Sequence, residues 1–182
     1  MDKYDPIATI DIASCYSSWS RAFPDLERLV HDTALAALIE GITATGITSR
    51  RGIEIGITLS DDAHQQQLNR RYRGQDVSTN VLAFPACELR TDTPTGVPLL
   101  LGDVVLAFET VAREAVAQVK PLRDHVRHMI VHGVLHLLGF DHKREVDAVT
   151  MERLETSILA KLGVPDPYHG IDLPIESRPI LL

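Results

Sequence analysis

Four short stretches of the chain are apolar throughout or alternate between apolar and polar positions, and both patterns predict β-strands. Residues 52–60 alternate most clearly, with three isoleucines expected on one buried face. The turn-forming residues between 86 and 97 predict a mobile loop. A kink is expected at Gly102, inside one of the predicted strands. The remaining strands are predicted at residues 7–12, 80–84 and 98–108.

Apolar residues at helical spacing predict about five helices. The first covers residues 17–42, and Pro24 and Asp25 mark its start. The last covers residues 143–162 and ends at Gly163. Its apolar positions are expected to face inward, namely Val146, Val149, Leu154, Ile158 and Leu162. The other helices are predicted at residues 61–72, at 108–119 and after Pro121.

The most distinctive stretch is residues 125–142, which hold five of the eight histidines. His132 and His136 are four residues apart, so an α-helix places both imidazoles on one face. Gly139 can adopt the left-handed conformation that ends a helix, and His142 follows the turn. Three imidazoles then converge and leave a fourth tetrahedral position for water or substrate. The spacing therefore predicts a metal site.

The spacing HxxxHxxGxxH matches the zinc motif of the metzincin proteases at its ligands and its glycine. Those proteases carry a Glu after the first His as general base, whereas this chain has Gly133. A metal site is expected, and proteolysis is disfavoured. Closed structural zinc sites usually have four ligands and use cysteine, but neither Cys15 nor Cys87 lies near this stretch. An open three-histidine site indicates catalysis.

Other polar residues have competing interpretations. His125 and His128 are expected to be core residues bonded to carbonyl groups rather than ligands. Asp141 is expected either to orient an imidazole or to cap the turn. Arg70, Arg71 and Arg73 would be explained by a solvated helix C-terminus, which favours positive charge. The functional alternative is that one arginine reaches the metal and clamps a phosphate.

Composition limits the classes of function. The 182 residues, 45% of them hydrophobic, are enough for one domain with a sizeable core. We find no apolar run long enough to cross a membrane, and two cysteines without a CxxC pattern fit a reducing cytosol. We therefore expect a cytoplasmic protein. The net charge of −7 opposes nucleic-acid binding, so contact with RNA would depend on local basic patches.

Three motifs together resemble one known family. HGVLHLLGFDH, LNRRYRGQDVSTNVLAFP and LLGDVVLA, with KLGVPDPY near the end, are similar to the YbeY family of bacterial endoribonucleases that act in rRNA maturation. The resemblance implies an α+β, zincin-like single domain, with a small mixed four-stranded sheet and about five helices around a central metal-binding helix. We expect this domain to cover residues 1–168 and an extended, proline-containing tail to cover residues 169–182.

The resemblance also implies site residues and partners. His132, His136 and His142 fall on the family's ligands for one zinc ion, and Arg73 on its functionally important arginine. Arg70 and Arg71 are expected to bind RNA. The family acts on single-stranded RNA, in 16S rRNA 3′-end maturation and ribosome quality control. Its partners would be single-stranded rRNA, the small ribosomal subunit and associated assembly proteins, with no membrane.

The expected mechanism is metal-assisted cleavage of a phosphodiester, with Arg73 stabilising transition-state charge. Either metal-activated water or the RNA 2′-OH would be the nucleophile. Two alternatives stay open. One is a zinc-dependent peptide or amide hydrolase that binds extended peptide along LGDVVLA, taken as an edge strand. The other is a non-catalytic ribosome assembly factor whose zinc holds the fold.

Overall fold

The computed structural model describes residues 8–47, 52–86, 98–142 and 145–169. This part of the chain forms an α+β domain with four strands and six helices. The strands are β1 (Ala8–Ser14), β2 (Ile53–Ser60), β3 (Val81–Pro85) and β4 (Leu99–Ala107). The helices are α1 (Ser17–Ala22), α2 (Leu26–Thr45), α3 (Asp62–Arg73), α4 (Phe108–Ala117), α5 (Leu122–Leu137) and α6 (Glu145–Lys161).

The sheet has the order β1-β2-β4-β3, and this confirms the predicted mixed four-stranded sheet. The first three of these strands are parallel, whereas β3 is antiparallel to β4. β4 therefore lies between two partners, and the prediction that LGDVVLA is an edge strand is wrong. The sequence of β4 is mostly apolar because a central strand that is covered on both faces needs nearly continuous apolar residues. The peptide-hydrolase alternative was favoured by an edge strand at LGDVVLA, and the observed strand order removes that support.

Gly102 produces the predicted kink in β4. The pairing with β2 skips one residue, since Glu54 lies opposite Leu100 and Ile55 lies opposite Gly102. Gly102 has φ 129, and a Cβ there would meet the backbone oxygen of Phe84 on β3. Only glycine combines this conformation with such a close approach.

Two helix predictions are corrected. Residues 17–42 do not form one helix, because Phe23 is extended at φ −133 and the chain starts a new helix at Leu26, after Pro24. Val146 was expected to face inward but is 77% exposed. The buried stripe of α6 begins only at Ala148, so the first turn of the helix faces solvent.

Helix α5 is the centre of the packing. It contacts α2, α4 and α6 as well as strands β3 and β4. Eleven of its positions are buried, including three histidines and the apolar residues between them. A helix that is apolar on most sides is stable only when it is covered on most sides. The prediction of a central metal-binding helix therefore agrees with how α5 is packed.

Some predictions lie outside the described residues. The predicted loop is described only at Ala86, and the predicted tail only at His169. The extent of the domain from 1 to 168 stays a prediction. Among the helices that the structure describes, none is both long enough and apolar enough to cross a membrane.

Candidate metal centre

The three predicted histidines meet at the C-terminal end of α5. The Nε2 atoms of His132 and His136 are 3.0 Å apart, and one nitrogen from each of the three rings lies within 4.8 Å of the others. Gly139, at φ 89, reverses the chain so that His142 returns to the helix face. The amide of Phe140 donates to the carbonyl of Leu135 at 3.1 Å and closes this turn.

Hydrogen bonds on the far side of two rings fix their tautomers. His132 donates through Nδ1 to Oε1 of Glu155 at 2.8 Å, and His136 donates through Nδ1 to the Phe140 carbonyl at 2.9 Å. Each Nδ1 then carries the proton, so each Nε2 presents a lone pair. Two lone pairs facing each other at 3.0 Å repel unless a cation lies between them. Tetrahedral zinc bonded at about 2.0–2.1 Å separates its nitrogen ligands by roughly 3.3 Å. The donor set therefore fits a metal ion.

Burial lowers the pKa of His136 and of His142. It lowers the pKa of His136 to about 3, with further contributions from the neighbouring His132 and His142. Burial and His132 also lower the pKa of His142, although Asp141 partly offsets them. Neutral rings at pH 7 have their lone pairs available for a metal, so little proton release is needed for binding.

Glu155 is the main site residue that the sequence analysis missed. It is fully buried on α6 and accepts hydrogen bonds from His132, from His128 at 3.3 Å and from the hydroxyl of Tyr168. Burial alone would raise the pKa of Glu155, but the electrostatic effect of His132 and the hydrogen bonds from both histidines lower it overall. The signal in the sequence was a glutamate four residues after Met151, inside the apolar stripe of α6.

His125 and His128 are core residues, as predicted, and are 1% and 4% exposed. Their partners differ from the expectation of carbonyl groups. His125 bonds to the carboxylate of Glu114 at 2.9 Å, and His128 bonds to that of Glu155. Carboxylates are stronger acceptors than carbonyls, and each can bridge two donors in a buried site. The amide of Asn80 also donates to Glu114, at 3.1 Å.

Gly133 explains why no base follows the first ligand. A Cβ at this position would lie 2.5 Å from Cγ1 of Val104 and 3.2 Å from Cγ2 of Val81. These valines belong to β4 and β3, so the glycine lets α5 approach the sheet closely. A glutamate side chain at position 133 would clash with the sheet. This packing counts against a protease of the metzincin type.

Residues 25–163 match the family model described as Endoribonuclease YbeY. The chain belongs to this family. An Endoribonuclease YbeY of Rhodospirillum rubrum is 49% identical over 152 residues, covering 82% of this chain and 76% of that protein. One from Rhodopseudomonas palustris strain BisB18 is 41% identical over 174 residues, covering 94% and 98% respectively. The suspected family is confirmed, and YbeY membership supports an endoribonuclease role.

A solved structure is similar in fold to this YbeY family member. It is the solution structure of a Thermotoga maritima protein, with a TM-score of 0.53 and 18% identity. The match covers 85% of this chain and 92% of that one. At this identity the similarity concerns the fold alone. It supports the fold independently of the sequence comparisons.

The structure places Arg70, Arg71 and Arg73 at the C-terminal end of α3, and all three are exposed. Arg70 is 3.8 Å from a carboxylate oxygen of Asp76. Arg73 is the last residue of the helix, and its side chain forms no hydrogen bond or ion pair within the described ranges. No such bond joins these arginines to the described histidines. Their predicted roles toward the metal and RNA stay predictions.

Asp141 lies beside the third histidine of this YbeY centre. Its Oδ1 accepts a hydrogen bond from the backbone amide of His142 at 2.8 Å. This bond reaches the next residue, whereas an aspartate that caps an Asx turn accepts from the amide two residues on. Its negative charge also raises the pKa of His136 and His142 against the effect of burial. The role of Asp141 in orienting an imidazole stays a prediction.

Proposed function

We propose that this protein is a zinc-dependent endoribonuclease that cleaves single-stranded RNA. The observation that carries the proposal is the pair of Nε2 lone pairs facing each other at 3.0 Å in a chain of the YbeY family. His132, His136 and His142 would hold one zinc ion. Three imidazoles suit zinc, and a site with three protein ligands keeps a position for water or substrate.

A zinc ion bound there would act as a Lewis acid on a phosphoryl oxygen and would lower the pKa of bound water. The protein supplies the positions of the ligands. Glu155 holds the ring of His132 from α6, and the Phe140 carbonyl holds the ring of His136 from the turn. Because both acceptors belong to packed elements, the two imidazoles need little reorganisation when substrate binds.

Arg73 would stabilise the negative charge that develops on the phosphoryl oxygens. Its guanidinium is exposed and has no partner among the described residues, so it is free to bind a phosphate. A planar guanidinium can donate two parallel hydrogen bonds to a phosphate, which lysine cannot do. Arg70 and Arg71 would add phosphate contacts, although Arg70 already lies near Asp76.

We further propose that the substrate is the 3′ region of 16S rRNA, and that the protein works in the cytoplasm with the small ribosomal subunit and its assembly proteins. The net charge of −7 supports the need for such partners, since an acidic protein is repelled by RNA phosphates at long range. A ribosomal protein surface would bring the enzyme to RNA that it does not attract by itself.

The test is cleavage of a labelled single-stranded fragment from the 3′ region of 16S rRNA by zinc-loaded protein. Arg73→Ala should retain zinc and fold but lose cleavage by about 10²–10³-fold, as expected when a donor to the transition state is removed. Arg28→Ala is the control, because Arg28 is also an exposed arginine and lies on α2. Chelator should abolish cleavage, and His136→Ala should lose zinc.

The products identify the nucleophile. Attack by water leaves linear phosphate ends, whereas attack by the RNA 2′-OH leaves a 2′,3′-cyclic phosphate. Normal cleavage by Arg73→Ala would overturn the role given to this arginine. Cleavage that persists after zinc is removed, in protein freed of all divalent metal, would overturn the metal-dependent mechanism.

A further inference from the structure

Tyr72 is the one exposed aromatic residue in the part of the chain that the structure describes. It is 58% exposed, whereas Trp19 and Phe23 are buried and the other described aromatic rings are partly buried. Tyrosine is enriched at interfaces, because its ring is apolar while its hydroxyl group can stay hydrated.

The ring of Tyr72 packs against the ring of Phe84. It lies 5.0 Å from the ring of Phe84, centroid to centroid, at an interplanar angle of 61°. Phe84 belongs to β3, and Tyr72 to the last turn of α3, which ends at Gly74 with φ 71. Two regular elements thus fix a tyrosine side chain that has only two rotatable bonds, so little entropy is lost when a partner binds.

A positive charge lies against this ring. The guanidinium carbon of Arg71 is 5.4 Å from the centroid of Tyr72, within the range of a cation–π contact. Arg73 follows in sequence and is exposed. An aromatic face beside guanidinium groups is the combination that binds single-stranded nucleic acid, because the ring stacks on a base and the cations contact the phosphates.

Strand β3 connects this ring to the metal centre. Cγ2 of Val81 lies 3.2 Å from where a Cβ of Gly133 would be, next to the ligand His132. Phe84 is three residues further along the strand, which corresponds to about 10 Å. Tyr72 and α5 therefore pack against the same strand, β3, at positions three residues apart.

We infer that Tyr72, supported by Phe84 and flanked by Arg71 and Arg73, is a stacking site for one unpaired nucleobase of the RNA substrate. The inference rests on the proposed ribonuclease function and extends it. A base can stack on Tyr72 only when it has left a duplex, so the site would select single strands over double strands.

The test measures binding of a fluorescent single-stranded RNA that contains 2-aminopurine, at fixed salt and with chelator present to prevent cleavage. Stacking on an aromatic ring quenches 2-aminopurine, whereas contact with phosphates alone does not. Tyr72→Phe keeps the ring and should bind like the wild type with full quenching. Tyr72→Leu keeps an apolar cover over Phe84 and should raise Kd about 5- to 150-fold. Val116→Ala, which alters another exposed apolar residue, is the control.

The outcomes separate this inference from the proposed function. Unchanged Kd and quenching in Tyr72→Leu, beside normal cleavage by zinc-loaded wild type, would overturn the stacking site alone. Loss of binding to small-subunit proteins with unchanged RNA binding would also overturn it, because Tyr72 would then be a protein contact. Absence of cleavage by the wild type, with its RNA binding intact and dependent on Tyr72, would overturn the nuclease and leave the stacking site supported.

Discussion

Glu155 accepts the Nδ1 proton of His132 at 2.8 Å, and this bond joins α6 to the metal-binding helix. The carboxylate is fully buried and also accepts from His128 and Tyr168. A carboxylate behind a ligand imidazole fixes the orientation of the ring and raises its basicity. The affinity of these histidines for a metal would therefore depend on a helix that contributes no ligand.

Glu155→Gln should lower the affinity for zinc by about 10–100-fold, because the amide has nearly the same shape but no charge. Competition with a chromophoric chelator measures this affinity. Glu27→Gln makes the same chemical change at an exposed position on α2 and should leave the affinity unchanged. A zinc affinity equal to that of the wild type in folded Glu155→Gln would show that the carboxylate does not support the ligand.

Gly133→Ala should destabilise the protein by up to about 2 kcal/mol. The added methyl group would lie 2.5 Å from Cγ1 of Val104, and overpacking of this kind costs about 1–3 kcal/mol. Alanine is a better helix former than glycine by about 1 kcal/mol, which offsets part of the loss. Urea unfolding followed by circular dichroism measures the change.

Val104→Ala provides the matched test of that packing, because it removes the methyl groups that the new Cβ would meet. The double variant should lose less stability than the sum of the two single variants, since the contact responsible is then absent. If the effects of the two substitutions simply add, the loss in Gly133→Ala does not come from Val104.

The metal-free protein should lose stability as the pH falls below 6.5. Burial lowers the pKa of His136 from 6.5 to about 3, so between these values the unfolded chain binds a proton that the folded chain does not. Above pH 6.5 neither state binds it, and the effect is absent. The expected slope is about 1.4 kcal/mol per pH unit for this residue. The lowered pKa values of His128 and His142 act in the same direction.

Urea unfolding in chelator at pH 7, 6 and 5 measures this slope. His136→Gln lacks the titrating ring, so its free energy of unfolding should depend less steeply on pH, by up to about 1.4 kcal/mol per pH unit. An equal slope in both proteins would mean that His136 is not held neutral by the fold.

Removal of the metal should leave the domain folded at 25 °C. The buried core is continuous and consists of apolar residues from the described strands and helices, so it does not depend on the three histidines. Chelation should therefore reduce the free energy of unfolding by only the binding contribution, about 2.7 kcal/mol where free zinc is 100-fold above Kd. Trp19 is the sole tryptophan and is completely buried, so its emission reports the folded state. A red shift on chelation alone would favour the assembly factor with a structural zinc.

The histidine cluster could be predicted because its geometry is local. The spacing of His132 and His136 is set by the period of one helix, and the return of His142 is set by one glycine turn. Most strands and helices were also predicted within a few residues, because their apolar periods are local too. The break at Phe23 was missed since the apolar spacing continues on both sides of it.

The features that escaped prediction depend on contacts between distant segments. Glu155 is 23 residues from His132, and only the packing of α6 on α5 brings the two together. The central position of β4 depends on the order of strands, which the apolar pattern of one strand does not contain. Helical spacing assigned Val146 to the apolar stripe of α6, but the core does not extend to the first turn of this helix, so the residue is exposed.

The burial of α5 on most sides has a consequence for motion near the histidines. Amides in a helix covered by three helices and two strands exchange their hydrogens with water only when the whole domain opens. The first two ligands therefore belong to the slowest-exchanging segment, whereas His142 lies beyond the helix, in an irregular segment. Local opening can release the third ligand while the other two remain fixed, so a metal would leave and return through the His142 side.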